Sequence, residues 1–212
     1  MAREDGNSLQ LTPPEPHRRL ALNSFLLGNV CASCNNGWMS TLENDVKNDL
    51  IVLSRGSSTT IRDREKLAIW CVKTAFTLSE YLQPNVGALP KEIGGNLHRV
   101  RDHLPTDTAV FYVPSTNKQF WFSIPSTHQI IAGDQTSAKK LWSRSSKIVF
   151  QVGKAIFQVV HAPDAREISY NLKDCVLLGA SLKIRPQLGS SVRDTGIKDD
   201  LFVFMMSNSL LA

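Results

Sequence analysis

Near residue 106 the hydrophobic pattern of this chain changes period, and that switch limits its architecture more than any other feature. Upstream, apolar residues recur every three or four positions. Met39, Leu42, Val46 and Leu50 form one such series, and Leu67, Cys71, Thr74, Leu78 and Leu82 form another. This spacing marks one face of an amphipathic helix. Downstream come short runs rich in β-branched and aromatic residues: TAVFYV, QFWFSI, QIIAG, KIVFQV, AIFQVV, DCVLLG and LFVFMM. Runs of this length and composition read as strands. The expected fold class is therefore α+β, with helices first and an antiparallel β-rich half after them. The pattern divides the chain at residues 1–55, 56–105 and 106–212.

Local signals refine this. Pro13, Pro14 and Pro16 keep the first segment extended. Residues 20–30 are mostly apolar and predict a strand. Ser40 and Glu43 have capping-box spacing at the start of a helix predicted over 38–54. Thr60 is a candidate N-cap for a second helix over 61–82, closed by Pro84. A third helix is expected over 91–103, interrupted by Gly94-Gly95. KIVFQV and AIFQVV flank Gly153-Lys154, which predicts a hairpin whose glycine takes the positive φ of a type II′ turn. Residues 134–146 fit a short helix or a long loop, and 181–200 a polar connection.

Composition excludes several classes. A chain of 212 residues with 42% hydrophobic and 20% charged residues can form a full core. No apolar run reaches the roughly 18 residues of a membrane span. The first twenty residues hold no apolar signal-peptide core, so the expected compartment is the cytoplasm. No P-loop, nucleophile elbow or dinucleotide fingerprint occurs. His98, His103, His128 and His161 have neither metal spacing nor a motif around them and are assigned no role.

The cysteines carry more information. Cys71 and Cys175 lie in apolar patterns and read as core thiols. Cys31 and Cys34 form a CxxC, a turn that sets two sulfurs on one side of the backbone at a spacing a tetrahedral metal accepts. The pair reads as a zinc site, a reduced metal-free knuckle or a redox couple; a disulfide is not expected in the cytoplasm. Asn35 follows, able to offer an oxygen to a hard cation or to cap the helix.

The run CASCNNGWMSTLE (31–43), followed by REKLAIWCVKTAF (64–76), resembles bacterial HNH-endonuclease-like proteins built on a zinc-ribbon form of the ββα-metal nuclease fold. The resemblance implies that residues 1–55 are a partial HNH-like knuckle and helix. It implies that Cys31 and Cys34 are the second zinc-ligand pair, and that Trp38 packs under the knuckle with Glu43 on the helix. Asn35 helps hold a catalytic Mg²⁺ or Mn²⁺, and a histidine acts as general base on water. No cysteine precedes Cys31, and the only upstream histidine is His17. His17 is therefore the candidate base, and a homodimer would complete a four-thiolate zinc site from two copies of the pair. The implied function is metal-dependent DNA cleavage, impaired or lost unless His17 serves. The alternative is a non-catalytic nucleic-acid- or protein-binding module built on a residual zinc knuckle.

The charge balance is +5, from 24 basic against 19 acidic residues. It clusters in one place. Residues 135–163 contain no Asp or Glu but include Lys139, Lys140, Arg144, Lys147 and Lys154, with Trp142 and Phe150 among them. Such a strip either tracks a phosphate backbone, with Lys139, Lys140, Arg144 and Lys147 touching DNA, or is a solvated face.

Overall fold

The computed structural model describes residues 2–5, 8–11, 31–57, 60–82, 89–99, 101–116, 121–123, 129–189 and 208–212. The strands predicted over 20–30 and at LFVFMM fall outside these residues, as do His17 and His128. Strands β1 (Ala2–Asp5) and β2 (Ser8–Leu11) pair as an antiparallel ribbon. A helical run then starts at the CxxC. It comprises α1 (Ala32–Cys34), a link kinked at Gly37 (Asn35–Met39) and α2 (Ser40–Ser54). The helices α3 (Arg64–Leu82) and α4 (Lys91–Arg99) complete the first half.

The second half contains β3 (Thr108–Pro114), β4 (Trp121–Ser123), β5 (Gln129–Ile131), α5 (Gln135–Arg144), β6 (Ser146–Val152) and β7 (Ala155–His161). It continues with β8 (Glu167–Asn171), β9 (Val176–Ala180), β10 (Ile184–Gln187) and β11 (Asn208–Leu211). Five strands form an antiparallel sheet in the order β4-β6-β7-β3-β9. Four more form a second sheet in the order β10-β8-β11-β5. The expected α+β class holds, but the second sheet is mixed: β10 pairs with β8, and β11 with β5, in parallel.

The larger sheet is the middle of three layers. Alternate residues of its strands face opposite ways. Val110, Tyr112, Ile148, Phe150, Phe157 and Val159 pack with the helices. Ala109, Phe111, Val149, Ile156 and Val160 pack with Ile168, Tyr170 and Leu210 of the second sheet and with Leu141 of α5. Burial on both faces explains why these strands read as continuous apolar runs instead of alternating ones. The helix-side core draws on residues from all three sequence segments, so the boundaries at 55 and 105 are changes of secondary structure, not breaks between cores. Helix α3 lies between α2, α4 and the sheet, and Leu67, Ala68, Ile69, Cys71, Val72, Ala75 and Leu78 are all buried. Trp70 meets Phe150 and Phe157 edge-on, with both centroids 6.0 Å away.

Two glycines fix how these parts meet. The β6–β7 hairpin turns at Gly153, whose φ is +61°, as expected. Its tip docks on the end of α2, where the Lys154 N–H donates to the Ser54 carbonyl at 2.8 Å. A Cβ on Gly153 would sit 2.3 Å from that carbonyl oxygen, so both the turn and the docking require glycine. Gly94 does not break α4: a Cβ there would lie 2.6 Å from the Phe76 ring, so its absence lets α4 approach α3 closely.

Two capping expectations and one helix boundary are corrected. Ser40 and Glu43 form no capping box, because Met39 and Ser40 are both already helical. Glu43 instead pairs with Lys73 of α3. Thr60 does not cap α3; Asp63 accepts the Lys66 N–H at 3.0 Å, so α3 begins at Arg64. The helix expected over 91–103 stops at Arg99.

Candidate functional site

The CxxC occupies the exposed start of the helical run. Cys31 has extended backbone (φ −64°, ψ 144°), and its sulfur accepts the Cys34 N–H at 3.0 Å. It thereby fills the position of an N-cap side chain, satisfying an N–H that a first helical turn leaves free. Ser33 Oγ lies 3.2 Å from the same sulfur. Residues three apart on a helical turn share a face, and the two Cα atoms are 5.2 Å apart. That separation lies within disulfide range, and Cys31 and Cys34 are joined as a disulfide. The expectation of free thiols is corrected here, because the turn brings the sulfurs into direct reach of each other. Cys71 and Cys175 are buried free cysteines, as expected, and burial raises the Cys71 thiol well above its ordinary value.

Beyond the pair the helix is kinked. Gly37 departs from helical geometry (φ −96°, ψ −114°) and separates the turn at Ala32–Cys34 from α2. Thr41 Oγ1 donates to the Gly37 carbonyl at 3.2 Å, covering an acceptor that the kink exposes. Trp38 is partly buried and packs against the helix-side core. Its indole N–H is buried with no hydrogen-bond acceptor among the described residues. Asn35 is exposed and helical, with its N–H donating to the Cys31 carbonyl at 3.0 Å. It is not the helix cap; Cys31 is.

Below the kink, Leu42, Val46, Asp49 and Leu53 face the core. Asp49 is buried yet partnered, accepting the Arg62 N–H at 3.1 Å across the α2–α3 connection. The CxxC thus lies on a short exposed turn joined through the Gly37 kink to the anchored helix α2, and both cysteines stay accessible. For a tetrahedral zinc site the fit is half complete: two convergent sulfurs on an exposed turn suit two of its four positions. Among the described residues no group of three or more His, Cys, Asp or Glu side chains could hold a metal ion.

The basic strip divides. Lys139 and Lys140 are exposed on α5, and Trp142 is 47% exposed beside them. Asp164, outside the acid-free stretch, reaches Lys140 and Arg144, each at 3.0 Å. Lys147 corrects the fourth member of the strip: it is only 1% exposed, points between the two sheets, and cannot touch a phosphate backbone. Burial lowers its pKa to about 7, offset in part by Cys175. Its position in the sequence pointed the other way, since lysines are mostly exposed and one that opens a strand reads as a solvated end. His161 is also buried, and burial outweighs the neighbouring Asp107 to lower its pKa.

Helix α5 and the CxxC helix sit on opposite faces of the five-stranded sheet, because Leu141 belongs to one core and Leu42 to the other. No helix among the described residues is long and apolar enough to cross a membrane. No family model, curated protein or solved structure matches this chain.

Proposed function

We propose that the protein is an HNH-like, metal-dependent DNA endonuclease-family protein, with Cys31 and Cys34 as half of a structural zinc knuckle. One observation carries this reading: the two cysteines sit together on an exposed turn that leads, through the Gly37 kink, into a helix fixed in the core. A metal knuckle needs this combination of accessible ligands and a rigid support. The Cys34 N–H aimed at the Cys31 sulfur favours electron density there, as a zinc-bound sulfur requires. We read the protein as cytoplasmic, where such pairs are kept reduced. The reduced pair is the metal-binding form. Its remaining two ligands come from the same pair in a second copy of the chain.

Asn35 follows the pair directly on the exposed side of the helix, where its side-chain oxygen can serve a hard cation such as Mg²⁺ or Mn²⁺. Bound there, such an ion polarises a scissile phosphate. The chain's own part is to hold the Asn35 oxygen on the turn that leads into α2 and to supply His17 as base.

The test is zinc content under reducing conditions, together with plasmid nicking in Mg²⁺ or Mn²⁺. Wild type is expected to hold zinc and Cys31→Ser to lose it. Nicking is expected to fall about 10²-fold or more in His17→Ala, the usual contribution of a general base, and to fall in Asn35→Ala. Zinc retained by Cys31→Ser removes the metal assignment, and unchanged nicking in both other variants removes the catalytic one.

A second reading rests on α5. Its exposed Trp142 beside Lys139, Lys140 and Arg144 suits a stacked base flanked by phosphates, with no cleavage required. Nucleic-acid binding that survives zinc removal and is lost on changing α5 favours this module over the nuclease.

A further inference from the structure

We propose that Cys31 and Cys34 form a reversible thiol–disulfide exchange site that reacts with small solvent-borne disulfides. Three features of the pair support it. The sulfurs are close enough to bond without backbone movement, their Cα atoms being 5.2 Å apart. The pair lies at the surface, and exposed disulfides are the readily exchanged ones. The ring it closes spans only a three-residue separation, so it removes little chain entropy and serves poorly as a structural staple. Helix α2 is held instead by Leu42, Val46 and Leu53 in the core.

The site is also selective within the chain. Cys71 and Cys175, the remaining cysteines, are buried. A dissolved oxidant therefore meets the CxxC pair and neither of the others.

Exposure assigns the order of events. Cys31 is exposed and Cys34 is half-buried. The Cys31 thiolate attacks one sulfur of a disulfide RSSR; a new S–S bond forms and RS⁻ leaves. Cys34 then loses its proton to solvent and attacks the Cys31 sulfur, expelling the second RS⁻. The dithiol is oxidised by two electrons, RSSR is reduced to two RSH, and a thiol in excess reverses both steps. A disulfide sulfur carries no thiolate charge for a metal. Oxidation therefore disables the zinc half-site, a consequence that rests on the knuckle reading; the exchange itself does not.

The experiment uses the full chain, reduced and treated with a chelator, then incubated with oxidised and reduced glutathione at varied ratios. Samples are alkylated and their peptides weighed. The expected result is a Cys31–Cys34 disulfide that follows the glutathione ratio, with Cys71 and Cys175 alkylated only after unfolding. Cys34→Ser should stop at a Cys31–glutathione adduct, and Cys31→Ser should form its Cys34 adduct about tenfold more slowly. Absence of the disulfide at the most oxidising ratio, or equal adduct rates in the two variants, overturns the proposal. Repeating the reaction on zinc-treated chain separates the two readings. Slowing by zinc supports the knuckle, while an unchanged rate removes the zinc assignment and leaves the exchange site standing.

Discussion

Lys147 provides the sharpest test of the sandwich interior. Its side chain lies between the two sheets, on the β6 face that also carries Val149, and it is almost completely buried. Burial holds its pKa at about 7, against an ordinary value of 10.5. In the unfolded chain the amine is protonated throughout the interval between these values, whereas in the folded chain it is neutral. The unfolded state therefore binds the extra proton, and stability contributed at this site rises with pH from 7 to 10.5 by about 1.4 kcal/mol per unit. At pH 7 the folded group is half protonated, and the accumulated cost is about 4 kcal/mol. Methionine has a similar length and no charge. Allowing about 1–2 kcal/mol for the hydrogen bonding that the amine takes with it, Lys147→Met should stabilise the protein by about 2–3 kcal/mol at pH 7. For a chain of this size that corresponds to a rise in Tm of roughly 5–10 °C. The advantage should shrink steadily toward pH 10. The assay is urea denaturation of both proteins at pH 7, 8, 9 and 10, comparing differences so that other titrating groups cancel. A variant less stable than wild type at pH 7, or a difference that does not vary with pH, would refute the reasoning; it would mean the lysine stays charged inside.

Other outcomes follow from the same structure. Gly153→Ala combines a positive φ with a Cβ 2.3 Å from the Ser54 carbonyl; it should cost about 2–4 kcal/mol by chemical denaturation. Asp49→Ala leaves the Arg62 N–H without its acceptor and should cost about 1–3 kcal/mol, measured the same way. His161, whose pKa burial lowers from 6.5, stays neutral in the fold while the unfolded chain protonates. Stability should therefore decline as pH falls through 6.5, and His161→Phe should flatten that part of the thermal-melt profile. If α5 meets DNA, Lys139→Ala should reduce the slope of log affinity against log salt by about 0.9. Lys147→Met should leave that slope unchanged, and Asp164→Asn, by freeing Lys140 and Arg144, should tighten binding in filter or fluorescence assays.

Much of the local structure was legible because helix and strand periodicities are properties of neighbouring residues. The stripes through Leu42 and Leu67, the Gly153 hairpin and the core placement of Cys71 and Cys175 all followed from spacing and residue type. Strands β1 and β2, in a segment read as irregular, were missed, and so were β8, β10 and β11. Their short sequences EISYN, IRPQ and NSLL lack a continuous apolar run, and Pro186 argues against a strand unless it lies at a sheet edge, where β10 lies. The candidate site was half legible. CASCNNGWM identified which residues to watch, and the helix expected from residue 38 does begin just past the Gly37 kink, but the separate turn at 32–34 and the Cys31–Cys34 bond were not foreseen.

By itself the sequence determined that helices precede the β-rich half, the apolar stripes that α2 and α3 bury, and which residues are able to do chemistry. Tertiary structure alone decided that Lys147 lies in the interior, that Asp164 draws in two of the strip's cations, and that α5 and the CxxC lie on opposite sides of one sheet. The physical reason is that strands apolar on both faces carry no record of which layer each face will meet. That choice is made by pairing partners distant along the chain, and with it the surroundings of every charge on those strands.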